Sequence, residues 1–200
     1  MNKYLQCVVT FIVAIQLVGC GPVKMPNVAT YTISSLHDIA VPARSRTSRS
    51  IVVAMPEAAP GYGSSKMLYV NIPYKLKAFT RHAWVAPPAE MLLPLLAQRL
   101  RAKGYFKAVL TPPFVGQADY RLETQLLVLQ QEFLEPDSEL HMVLQVTLSN
   151  ATNGKVLASR RFAMMEKASE NNPYGGVMAA NRVAARLTQQ IANFVVANAR

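Results

Sequence analysis

Residues 119–165 read DYRLETQLLVLQQEFLEPDSELHMVLQVTLSNATNGKVLASRRFAMM, and their pattern decides the fold class. From Tyr120 to Phe133, Leu122, Leu126 and Val128 share one face of an extended segment. Pro136-Asp137-Ser138 is turn chemistry, because proline presets φ and the short polar side chains bond back to nearby backbone. Leu140, Met142, Leu144, Val146 and Leu148 then alternate cleanly with other residues, which is the period of a strand with one buried face. Asn153-Gly154 is a hairpin signal, since both residues tolerate positive φ. A third strand follows from Lys155 to about Met165. Three strands in succession with short turns predict an antiparallel meander.

Working outward, Gly175-Gly176 opens a helix over about Val177–Asn198. Val177, Ala180, Ala184, Leu187, Ile191 and Phe194 form its apolar stripe, expected to pack on the sheet, with a coiled-coil seam to another subunit as the alternative. Upstream, Pro87-Pro88 announces a second helix reaching about Lys103, with Leu92, Leu96 and Leu100 on one stripe. Arg99, Arg101 and Lys103 suit the negative end of its dipole, and Gly104 suits the stop. Pro94 is expected to kink that helix or delay its start. Shorter strands are expected at Thr30–Leu36, Ile51–Met55, Met67–Ile72, Tyr74–Thr80 and Tyr105–Thr111, with a loop over Glu57–Ser65. The predicted class is α+β, an antiparallel sheet with two main helices packed on one face.

The first residues carry a different signal. Lys3 precedes an apolar run from Leu5 to Val18, interrupted only by Gln6, Thr10 and Gln16. Such a run fits a secretory signal and is too short for a membrane-spanning helix. It ends in Leu17-Val18-Gly19-Cys20, which has the form of a bacterial lipobox. The thiol of Cys20 would form the thioether to diacylglycerol, and the small Gly19 would admit the signal peptidase. The expected organisation is therefore a signal peptide at 1–19, a lipidated tether at 20–29 and a single periplasmic domain at 30–200. Cys7 would leave with the signal, so the mature chain has no partner thiol for a disulfide. Gly21, where enterobacterial inner-membrane lipoproteins usually carry aspartate, points to the outer membrane. No cofactor is expected beyond the covalent diacylglycerol and N-acyl chain on Cys20.

The formal net charge of +10 is unevenly spread. Ala40–Val109 holds eleven basic residues against Glu57 and Glu90, whereas Leu110–Glu170 holds eight acids against five bases. A basic half on a tethered domain suits anionic headgroups or an acidic partner protein. Arg44, Arg46 and Arg49, in a loop without apolar periodicity, are the candidates for that anionic contact. Export removes nucleic acid from consideration as a partner.

Catalytic chemistry is hard to find. His37, His82 and His141 have no metal-ligand spacing, so no metal site is expected. Ser34, His37 and Asp38 are neighbours in sequence, which does not make a triad. Gly61-Tyr62-Gly63-Ser64 lacks the frame of a nucleophile elbow and of a phosphate loop. No enzymatic activity is expected.

Residues Tyr74–Pro88 carry a strand ending in Trp84, a proline-containing link and then a leucine-rich helix. With Tyr74, His82, Trp84, Pro87, Pro88, Leu92, Leu96 and Leu100 in this order, the chain resembles the ABC-type transport auxiliary lipoproteins, including the Pqi type. Val52–Pro56, Gln130–Phe133 and the Ala-rich terminal helix extend the resemblance over about residues 30–196. It implies a non-enzymatic component partnering an MCE-domain protein and an ABC transporter in lipid or solvent transport. On that reading Tyr74, His82 and Trp84 are candidates for a partner interface, although a lone tryptophan can equally cap the core. A homo-oligomer is compatible with it. The alternative function is a lipoprotein regulator docking to a cell-wall synthase, against which stands the short tether ahead of the first strand.

Overall fold

The structure is a computed structural model that describes residues 27–34 and 40–199. The predicted meander is its frame: β7 (Tyr120–Glu132), β8 (Glu139–Asn150) and β9 (Val156–Lys167), paired antiparallel in sequence order. Gly154, at φ +71°, closes the β8–β9 turn. The Asn150 side chain accepts from the Thr152 and Asn153 amides in that turn.

The remaining strands build on the other edge of β7. β2 (Ser50–Val53), β3 (Glu57–Ala58) and β4 (Lys66–Val70) meet it one after another, all parallel to it. β5 (Leu76–Trp84) pairs antiparallel with β4, and β1 (Ala29–Tyr31) lies parallel along β5. β6 (Ala108–Leu110) closes the order parallel to β2. The class is α+β as expected, and the nine-stranded sheet is mixed rather than antiparallel throughout. The reason is the crossover: β2 returns as β6 only after a hairpin and a helix, and a connection of that length permits a parallel neighbour. Periodicity reveals a strand and its buried face, not its partner. β3, within the expected loop, owes its two residues to the edge of β7.

Both helices cover one face. α1 (Pro88–Ala102) runs through Pro94, and α2 (Pro173–Asn198) begins four residues earlier than its apolar stripe implied. Asn172 caps α2 by accepting from the Gly175 amide at 2.8 Å, with Pro173 in the first turn. Leu92, Leu96 and Leu100 of α1 and Val177, Val183, Leu187 and Ile191 of α2 pack with Leu122, Leu126, Met142, Leu144 and Leu148. The α2 stripe is thus spent inside its own chain, as the sheet-packing expectation required. Leu92, Leu96, Leu100, Leu187, Ile191 and the named sheet residues keep 1% or less of their surface exposed, so this seam alone supplies tens of kcal/mol of gross burial.

The core gives the molecule two ends. β2, β6 and β7 all start at one end, beside the C-termini of both helices, where the Tyr105 hydroxyl donates to the Ala199 carbonyl. The β4–β5 turn, the β7–β8 turn and the N-terminus of α2 lie at the other. The length of β7 sets the separation at about 40 Å.

Candidate functional site

β5 and the turn that leads into it carry the three candidate interface residues, and the shape of the hairpin separates them. Lys66 opposes Ala83 and Leu68 opposes Ala78, so β4 advances two residues while β5 advances five. The surplus bends β5 and re-aims its side chains. Trp84 turns into the core and keeps 4% of its surface exposed, beside Met67, Leu129 and Gly176. It therefore acts as the core cap and offers no surface to a partner. His82 is half-buried, its Nδ1 3.2 Å from the Tyr31 hydroxyl. Tyr74 stands apart at the β4–β5 turn, fully exposed.

His82 belongs to an aromatic row that the sequence reading missed. The Tyr31 ring lies 5.8 Å from His82 and 6.1 Å from Tyr174. Phe79 continues the row at 6.1 Å from His82, and Tyr69 stacks on Phe79 at 4.5 Å. Phe133 closes it, edge-on to both at 6.1 and 6.4 Å. The row joins three strands, the residue just after β7 and a helix, so no local pattern displays it. The only local hint is the pair Tyr69 and Phe79 across the Pro73 turn, and the bulge conceals their register.

The arginine loop sits at the other end. The Arg46 and Thr47 amides donate to the Gly104 and Tyr105 carbonyls, both at 2.9 Å, which holds the loop against the end of α1. Arg49 is committed to structure, its guanidinium donating to the Tyr120 hydroxyl at 3.0 Å and lying over that ring. Arg44 and Arg46 are exposed, and Arg101, Lys103 and Lys107 join them at this end. Asp119 is the acid beside them. Its carboxylate accepts from the Ser50 amide at 2.7 Å and the Ser50 hydroxyl at 2.9 Å. Those bonds to Ser50, with help from Arg49, hold its pKa below the usual value.

On the sheet face away from the helices a cleft of about 570 Å³ opens between Val52, Met55, Phe114, Arg121, Glu123 and Gln125. Along β7 in its lining, Arg121 donates to Glu123 at 2.9 Å. Among the described residues no three His, Cys, Asp or Glu side chains converge to hold a metal ion. No described helix is long and apolar enough to cross a membrane. Cys20, the signal 1–19, His37 and Asp38 lie outside the described residues.

These features define a class: an α+β domain that presents surfaces, aromatic along one flank and basic at one end. The chain belongs to the family of ABC-type transport auxiliary lipoprotein components, whose model matches residues 31–192. That membership makes it a lipoprotein held at a membrane, facing the periplasm, and associated with a transport system. Among solved structures it is similar to a DUF330-family protein from Xanthomonas campestris, with 19% identity and a TM-score of 0.74, over 86% of this chain and 96% of that one. It is also similar to the hypothetical protein CT253 from Chlamydia trachomatis, with 8% identity and a TM-score of 0.51, over 76% and 98% of the two chains. At such identities the likeness establishes the fold alone. No curated protein matches the chain.

Proposed function

We propose that this lipoprotein is a non-enzymatic auxiliary component of an MCE/ABC-type lipid or solvent transport system, tethered to the outer membrane through acyl chains on Cys20. The observation that carries it is the family match over residues 31–192, downstream of a lipobox ending at Cys20. Gly21 supports the outer membrane over the inner one. The basic end, through Arg44 and Arg46, is the surface that meets an acidic partner such as the MCE-domain protein. A domain that docks needs a rigid frame and a charged, accessible end, and the loop bonds to Gly104 and Tyr105 supply the rigidity.

In-cell crosslinking of the tagged lipoprotein, followed by affinity purification and mass spectrometry, tests this. An MCE-domain protein or its ABC ATPase should be recovered, and deleting the gene should alter membrane permeability. Recovery of a cell-wall synthase instead, with permeability unchanged, would sink the transport reading.

A further inference from the structure

The β4–β5 turn is built at a conformational cost. The Lys75 amide donates to the Ile72 carbonyl at 3.1 Å, closing a β-turn with Pro73 in its second position. Tyr74 fills the third position at φ +63°, a region glycine enters freely and a bulky side chain rarely. Its side chain is wholly in solvent, and Ile72 and Leu76 are 49% and 41% exposed. Three large apolar groups within five residues thus stand out of the fold. Lys75 and Lys77 follow the crest on either side of Leu76, and no acidic residue occurs between Lys66 and Trp84.

An apolar tip with a tyrosine at its crest and lysines just behind is the arrangement that enters a lipid interface. Tyrosine prefers the headgroup level, and lysines reach the phosphates while their stems stay apolar. The route of the tether adds an independent observation. β1 runs parallel to β5 with Ala29 opposite His82, so the chain enters β1 from the side of the hairpin turn. Nine steps along the chain separate Cys20 from Ala29, a reach of up to about 32 Å. The eight steps along the chain from His82 back to Tyr74 span about 26 Å or less.

We infer that the β4–β5 tip inserts Tyr74, Ile72 and Leu76 into the headgroup region of the same membrane that holds the Cys20 acyl chains, with Lys75 and Lys77 on lipid phosphates. This rests on the acylated anchor, not on the identity of any transport partner. The hairpin would then fix how the domain stands on the membrane, which a single point of attachment alone cannot do.

The test uses the full acylated lipoprotein, its Cys20 modification checked by mass spectrometry. It is reconstituted into phosphatidylethanolamine/phosphatidylglycerol vesicles with or without brominated acyl chains. Tyr74→Trp and Leu76→Trp report the tip, and Val115→Trp, 102% exposed near the start of β7, reports the far end. Buried Trp84 gives a constant background. Bromine should quench the tip tryptophans at least twofold more than position 115. Equal quenching at both ends, or an unacylated Cys20, overturns the proposal. So does a photo-crosslinker at position 74 that captures a protein in cells while the vesicles give no quenching. The vesicles contain no transport protein, so the result stands apart from the fate of the transport reading.

Discussion

Trp84 spends its surface inside the fold, so its replacement acts through stability. Truncation to alanine leaves a void beside Met67 and Leu129 and should cost about 3–5 kcal/mol. Circular dichroism under urea would measure it, and Trp84→Phe should recover most of the loss. Partner capture should then fall only as far as the folded fraction falls. Asp119 illustrates the opposite kind of residue, exposed yet tied to one partner. Its folded pKa lies below the ordinary 3.8 through the bonds from Ser50. The carboxylate therefore stabilises the fold above that value, and the contribution disappears as pH falls through the folded pKa. Asp119→Ala should cost about 1 kcal/mol at pH 7. The gap between the two proteins should narrow steadily below about pH 4, read from urea midpoints. A gap that stayed constant down to pH 2 would show that the Ser50 bonds do not depend on the charge.

At the scale of elements, two positions in the helices invite substitution for contrary reasons. Pro94 is exposed within α1 and has no N–H for the Glu90 carbonyl, which water must serve instead. Alanine would restore that bond at some cost in unfolded-chain entropy, for a net gain of about 1–2 kcal/mol and a Tm rise of several degrees. Gly175 is the reverse, because a Cβ there would sit 2.1 Å from the Glu170 carbonyl oxygen, which is backbone and cannot yield cheaply. Gly175→Ala should cost more than about 2 kcal/mol. Gly176→Ala should cost less, since its Cβ meets the end of the Gln131 side chain. Thermal melts of the two variants would rank them. These cases also mark what the chain discloses locally. The meander, the leucine stripe of α1 and the Asn153-Gly154 turn follow from period and turn chemistry within a dozen residues. The parallel edge of β7 does not, because β2 finds β6 and β7 only across intervening elements. For the same reason, Pro94 did not delay the start of α1. Its penalty is local, and the burial that overrides it, at Leu92, Leu96 and Leu100, is tertiary.

Across the whole molecule, the lipoprotein class was legible and so was the excess of positive charge, but the two ends were not. Lysines and arginines counted together between Ala40 and Val109 divide in space, Lys75 and Lys77 at the hairpin and Arg44, Arg46, Arg101, Lys103 and Lys107 about 40 Å away. The division follows from β4 running parallel to β7, a pairing with no local signature. If the hairpin end meets the membrane, the basic end projects into the periplasm, where it can reach a protein but not the headgroups of that bilayer. Arg44 and Arg46 can then be separated from the anchor by experiment. Reversing both to glutamate should lower capture of the MCE-domain partner about tenfold in low salt, chiefly through slower association, and by a small factor in 0.5 M salt, where exposed charges are screened. Arg49 is the internal contrast, because its bond to Tyr120 makes reversal there a stability defect with little salt dependence. Vesicle association of the double variant should match the unaltered lipoprotein, since neither arginine lies at the anchored end. Loss of vesicle association together with partner capture would place the basic end against lipid, and the orientation of the domain on its membrane would have to be reversed.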